Sequence, residues 1–219
     1  MVVQTSMIRF DALRDAPLNE APFPFLVIDN LLNEEFLGEI AKDFPEVHSR
    51  GSFPLEQLKC GSSFRRLIEE LEGDEFRAAV EEKLSIDLKG RPTMITVRGY
   101  TSERDGRIHA DTESKLVTVL LYFNPTWEAE GGRLRILKNR DALDDYVTEI
   151  APTFGKCLIF KVTDNCWHGH KPFVGERKAL QLNYVRDERE RDAHLRRHNF
   201  TAKLKAMRGW LGKKAVFSF

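Results

Sequence analysis

The feature that most constrains this chain is a change of hydrophobic period near Arg91. From there to Val185, short runs rich in Val, Ile, Leu, Thr and aromatics follow one another: Pro92–Tyr100, Leu116–Phe123, Leu134–Leu137, Tyr146–Ile150, Lys156–Lys161 and Lys178–Val185. Between them lie turn signals, namely Asp105-Gly106, Asn124-Pro125, Gly131-Gly132, Phe154-Gly155 and Gly175. Closely spaced short strands with no helix among them predict an antiparallel sandwich or barrel.

The stretch before Arg91 has helical spacing instead. Phe25 to Ile28 predicts a short strand, and Asn33 an N-cap with Glu34 and Glu35 in the first turn. Phe36, Leu37, Ile40, Ala41 and Phe44 then recur at helical spacing until Pro45. Residues 46–63, with Gly51, Pro54 and Gly61, read as a loop and a candidate lid. Further helices are expected over 64–72 and 74–84, the second capped by Asp74. The tail beyond Asp187 is charged and helix-prone, with Leu195, Leu204, Met207 and Trp210 as apolar contacts. The expected organisation is a single domain over 1–219: helix-rich support (1–90), a mainly β core (91–186) and a helical C-terminal segment (187–219).

Composition excludes more than it selects. The 34 basic and 34 acidic residues cancel, which gives no support to a nucleic-acid or membrane-surface partner. Three cysteines at unrelated spacings suggest neither a disulfide framework nor a CxxC zinc site. The opening residues lack a secretory pattern, and Leu116–Phe123 is too short to span a bilayer, so a soluble cytoplasmic location is expected.

Chemistry is concentrated in the β region. In an extended chain, residues i and i+2 project to one side, so the imidazole of His109 and the carboxylate of Asp111 can converge on one ion. Trp167-His168-Gly169-His170 supplies a second histidine from another strand end. Two His and one carboxylate on one face of a metal leave three positions open, as in non-haem Fe(II) sites. Arg177 begins a strand whose polar face continues through Gln181 and Asn183, and its planar fork suits a carboxylate.

The stretch HADTESKLVTVLLYFNPTWEAEGGRLRIL followed by WHGHKPFVGER resembles the Fe(II)/2-oxoglutarate-dependent oxygenases of the prolyl-hydroxylase-like group. The pattern is HxD, a strand ending in a YLN-like sequence, W…GG.L.I, then H…P…R, and the resemblance spans about 91–186. It implies a double-stranded β-helix (jelly-roll, cupin-like) core with Fe(II), 2-oxoglutarate as co-substrate and O2, and ascorbate as a candidate stimulant. It makes His109, Asp111 and His168 the metal ligands, because Pro172 and Arg177 follow His168 at the spacing the pattern requires, and it leaves His170 as a pocket residue. It places Arg177 and Tyr122, and by a weaker match Tyr100, against the co-substrate. Asn183 departs from the pattern, standing where protein prolyl hydroxylases carry a large aromatic residue.

The implied activity is hydroxylation of an aliphatic C–H bond of a small molecule or amino-acid-like substrate, with release of succinate and CO2. A peptidyl prolyl or other side chain is the alternative substrate. Two readings from other classes compete: a non-catalytic jelly-roll metal-binding module, and a zinc hydrolase. Arg177 argues against a purely structural metal site, and the lack of an HExxH motif argues against the hydrolase. Neither the oligomeric state nor the pathway is legible.

Overall fold

A computed structural model describes residues 5–196. Two antiparallel sheets face each other in a double-stranded β-helix. The larger has the strand order β1-β7-β4-β9-β3-β2, and the smaller the order β6-β5-β8. The large-sheet strands are β1 (Phe25–Ile28), β2 (Phe53–Pro54), β3 (Thr93–Thr101), β4 (Lys115–Tyr122), β7 (Cys157–Lys161) and β9 (Gly175–Val185). The small sheet contains β5 (Leu134–Leu137), β6 (Tyr146–Ile150) and β8 (His168–Gly169). The last of these is only two residues long, too short to leave a periodic signal.

Strand register sorts the side chains. Thr118 opposes Asn183 and Phe160, Leu120 opposes Gln181 and Leu158, and Arg98 opposes Ala179. These residues share the face turned toward the small sheet, because alternate residues of a strand project to the same side. There Phe25, Tyr122, Leu134, Ile136, Leu158 and Phe160 form the core between the sheets. The opposite face, with Val117, Val119, Leu121, Leu180 and Leu182, packs against helices. The large sheet is therefore apolar on both faces along β4, and its sequence reads as a continuous apolar run broken by Thr118.

The helices brace the outer face. Helix α1 (Phe10–Asp15) precedes β1, and α2 (Leu37–Asp43) follows a short 3-10 turn, Glu34–Phe36. Helix α3 (Ser62–Leu71) buries Phe64, Leu67, Ile68 and Leu71, a stripe at helical spacing. Helix α4 (Asp74–Leu84) buries Phe76, Ala79, Val80 and Leu84. Each such large side chain contributes about 1.5–3 kcal/mol by leaving water.

Some local expectations are corrected. Asn33 holds the expected N-cap position of the 3-10 turn, with Glu34 and Glu35 in the first turn, but its side chain donates to the Ser6 carbonyl at 3.3 Å instead of capping. Asp74 is not a cap, since Gly73 occupies that position before α4. The end of α3 is tied from a distance, because the Asp43 carboxylate accepts from the Ser63 N–H at 2.7 Å. Residues 46–63 are not a bare loop: they include β2, which pairs with β3, and a 3-10 turn at Leu55–Gln57. Residues 188–196 are helical and include Leu195, whereas Leu204, Met207 and Trp210 lie outside the described residues. No helix among the described residues is long and apolar enough to cross a membrane.

Candidate active site

His109 and His168 are brought together by backbone pairing. The His109 N–H donates to the His168 carbonyl at 3.0 Å, and the His168 N–H donates back at 2.9 Å. This antiparallel bridge sets the imidazole centroids 4.2 Å apart. Both rings are held by the same device, Nδ1 lying 2.9 Å from the Arg107 carbonyl for His109 and 2.8 Å from the Cys166 carbonyl for His168. A carbonyl can only accept, so Nδ1 carries the proton and Nε2 keeps its lone pair, the tautomer a metal requires.

Asp111 completes the cluster, and one ligand atom from each of the three residues lies within 4.8 Å of the others. Its carboxylate accepts from Lys115 Nζ at 2.8 Å and from the Thr118 hydroxyl at 2.5 Å. Burial acts to raise its pKa, but the Lys115 charge and these donors outweigh it and hold the group at about 2. Burial and the neighbouring His109 push His168 down to about 4, against the pull of Asp111. At neutral pH the cluster therefore offers an anionic carboxylate and a neutral buried imidazole, the forms that bind cations.

Arg177 and Tyr122 sit in the same cavity, which has a volume of about 290 Å³ and is also lined by His109 and His168. Arg177 is buried, and its Nε donates to the Gly132 carbonyl at 2.8 Å. Among the described residues its terminal amino groups have no acceptor. Gly132 adopts φ +76°, and a Cβ there would lie 2.6 Å from the Trp127 ring, so the Gly-Gly motif is a backbone shelf for the arginine. Tyr122 is 1% exposed, and its hydroxyl has no hydrogen-bond partner. Burial raises its pKa despite the Arg177 cation, so it stays a neutral donor. An orphaned buried hydroxyl beside an arginine with unused donors is a cradle for a carboxylate.

The sequence model of the 2OG-Fe(II) oxygenase superfamily matches residues 95–185, the stretch that holds these groups. Residues 95–185 thus carry the sequence pattern of a 2OG-Fe(II) oxygenase domain. No match was found among the curated proteins. Among solved structures, the chain is similar to a Pseudomonas putida prolyl-4-hydroxylase at 17% identity, covering 85% of this chain and 97% of that one with a TM-score of 0.56. It is similar to a Trichoplax adhaerens prolyl hydroxylase in complex with a hypoxia inducible factor oxygen degradation domain peptide fragment, at 21% identity, 85% and 90% coverage and a TM-score of 0.50. A prolyl 4-hydroxylase from Phytophthora capsici aligns at 15% identity over 84% of this chain and 68% of that one, with a TM-score of 0.53. At such identities the likeness establishes a shared fold.

The oxygenase family uses Fe(II), 2-oxoglutarate and O2, and the donors here suit them. A two-histidine, one-carboxylate set with unpaired Nε2 atoms fits Fe(II), and the Arg177–Tyr122 cradle fits a dicarboxylate. Around Asp111 the structure gathers further polar residues, of which Thr118 was not singled out by the motif. Thr118 donates to Asp111 and accepts from Asn183 Nδ2 at 2.7 Å, while Gln181 Nε2 donates to Asn183 Oδ1 at 3.1 Å. The signal was a lone threonine in the apolar run of β4, on the face that also carries Tyr122. Arg98 and His170 also line the cavity. His170 is buried, and burial together with Arg177 lowers its pKa to about 4.

Tyr100 is not brought into this group. It is 38% exposed and absent from the cavity wall, and it lies beyond a register irregularity at which β9 has one more residue than β3 between the Arg98 and Tyr100 pairs. No residue of 46–63 lines the cavity either.

Proposed function

We propose that the protein is a 2-oxoglutarate-dependent dioxygenase that hydroxylates an aliphatic C–H bond of a small molecule or amino-acid-like substrate. His109, Asp111 and His168 would hold the iron, and Arg177 with Tyr122 the distal carboxylate of 2-oxoglutarate. Bound Fe(II) and 2-oxoglutarate supply the oxidising chemistry, in which O2 converts the co-substrate to succinate and CO2 while a substrate C–H bond is hydroxylated. The observation that carries this reading is the shared cavity, which His109 and His168 line together with Arg177 and Tyr122, while Asp111 converges with the two histidines on one point.

The chain's own residues bind and orient. Arg177, with its terminal amino groups free, would hold one end of the co-substrate, and Tyr122 would donate its otherwise unpaired hydroxyl there. Leu120, Leu134 and Ala179 give the cavity apolar walls that limit water near the reacting groups. Lys115 and Thr118 hold Asp111 in one orientation and keep it ionised. Substrates such as the peptidyl proline of prolyl hydroxylases are the alternative. The small cavity and the buried Asn183 in place of a large aromatic residue favour a different, smaller substrate.

The test is an anaerobic titration of metal-free protein with Fe(II) and then 2-oxoglutarate, followed by visible absorption, in wild type and Asp111→Ala. A chelate charge-transfer band in wild type that is lost in the variant supports the assignment. Tight zinc binding with no band would refute it and favour a structural or hydrolytic metal site.

A further inference from the structure

The cavity contains more positive charge than its co-substrate requires. Four arginines line it, Arg98, Arg104, Arg107 and Arg177, against the single carboxylate of Asp105. Arg177 is tethered to Gly132 and accounts for one carboxylate. The other three gather around the turn that follows β3. Arg98 projects inward from β3, and its approach to Asp105 is 3.6 Å, beyond hydrogen-bond distance. Arg104 and Arg107 flank Asp105 and Gly106 and are exposed. Among the described residues neither side chain has a hydrogen-bond or ion-pair partner. Arg9, Arg14, Arg66 and Arg191 on the surface are paired with acids.

The turn is built, not loose. The Asp105 carboxylate accepts from both the Ser102 N–H at 2.8 Å and its hydroxyl at 2.9 Å. The Gly106 carbonyl accepts from the His170 N–H at 2.9 Å. Gly106 adopts φ +86°, and a Cβ there would lie 2.3 Å from His170 Nδ1, so the turn lies against the histidine. Three arginines thereby line one rim of the cavity, Arg98 in a long ion pair with Asp105 and Arg104 and Arg107 with unused donors, and such clustered positive charge invites an anion.

We propose that Arg98, Arg104 and Arg107 form a second anion site, which takes a carboxylate or phosphate monoester of the molecule to be hydroxylated. The assignment rests on the oxygenase reading of the same cavity. A cavity of about 290 Å³, shared with 2-oxoglutarate, admits only the reacting carbon and a short stretch of chain. The charged end then reaches the rim. A nucleic acid is disfavoured, because the chain carries no net charge and a polyanion is tracked by a basic stripe, not by one rim.

The test uses protein loaded with Fe(II) and saturating 2-oxoglutarate under anaerobic conditions, so that Arg177 is occupied. Hexanoate, hexyl phosphate and the neutral hexanamide are then titrated in, with binding followed by calorimetry and by perturbation of the chelate band. Either anion should bind about tenfold or more tightly than the amide, as a charge-assisted contact implies. Arg104→Ala combined with Arg107→Ala, both exposed, should erase that preference while leaving 2-oxoglutarate affinity unchanged. Arg98→Met provides a second variant with the same expected loss. Equal affinity for acid and amide, absence of anion binding, or an unaltered preference in the variants overturns the proposal. Salt-sensitive binding of a short oligodeoxythymidylate in preference to the small anions overturns it in favour of a nucleic acid. Failure to form the chelate band at all is a separate result that strikes the oxygenase reading itself.

Discussion

Replacing Thr118 with valine keeps the shape of the side chain and deletes one hydroxyl that serves two buried partners. In the native protein that hydroxyl donates to Asp111 at 2.5 Å and accepts from Asn183 Nδ2 at 2.7 Å, and Asn183 is fully buried. The variant thus loses a hydrogen bond to a charged group, worth about 1.5–3 kcal/mol, and strands an amide donor at a cost of about 1–3 kcal/mol. Local relaxation recovers part of this, so the expected loss is roughly 3 kcal/mol, or about 6–12 °C in Tm for a chain of this size. Asn183→Leu leaves the Thr118–Asp111 contact in place and should cost less, about 1 kcal/mol. In the double variant no amide is stranded, so the two losses should be non-additive by about 1 kcal/mol. Because Thr118 orients the carboxylate proposed as a metal ligand, Fe(II) affinity should also fall, by about 10–100-fold. Thermal unfolding of the metal-free single and double variants, with Fe(II) titration of each, checks both expectations. Additive losses, or a Thr118→Val protein with native Tm and native metal affinity, would show that the relay through Thr118 carries no energy.

Arg177→Lys keeps the charge but removes the fork and the tether to Gly132, so the KM for 2-oxoglutarate should rise about 10–100-fold; initial rates against co-substrate concentration measure it, and an unchanged KM would remove Arg177 from the cradle. Tyr122→Phe removes only the unpaired hydroxyl, so stability should hold or rise slightly while 2-oxoglutarate affinity falls about five- to tenfold, a split that calorimetry and thermal unfolding resolve together. Asn124 joins two segments, its side chain donating to the Pro152 and Lys178 carbonyls and accepting from the Lys178 N–H; Asn124→Ala should destabilise the protein by about 2–4 kcal/mol, read from denaturant unfolding. Gly132→Ala forces a side chain into the Trp127 ring at positive φ, and a 2-oxoglutarate KM that stayed native in that variant would contradict the shelf proposed for Arg177.

The sequence alone determined which stretches would be strands and which groups carry chemistry. Period-two runs after Arg91 marked the β core because alternate residues must face opposite sides of a sheet. His109, Asp111, His168 and Arg177 were legible because their types and spacings match a chemical task. Their surroundings were not. The pairing of His109 with His168 joins residues far apart along the chain, and β8 is too short to declare itself. Lys115 and Thr118 reach Asp111 from four and seven residues away, but Asn183 joins Thr118 only through the register of β4 with β9, a long-range property that no local window contains. Arg98 lines the cavity while Tyr100 stands at the surface, although the two lie two residues apart in one strand, and the register irregularity against β9 falls between them. Likewise Asp43, not a local cap, closes the start of α3, because backbone groups at a helix end accept whichever partner the fold delivers. Local chemistry is written in residue types, whereas the partners that tune it are chosen by packing.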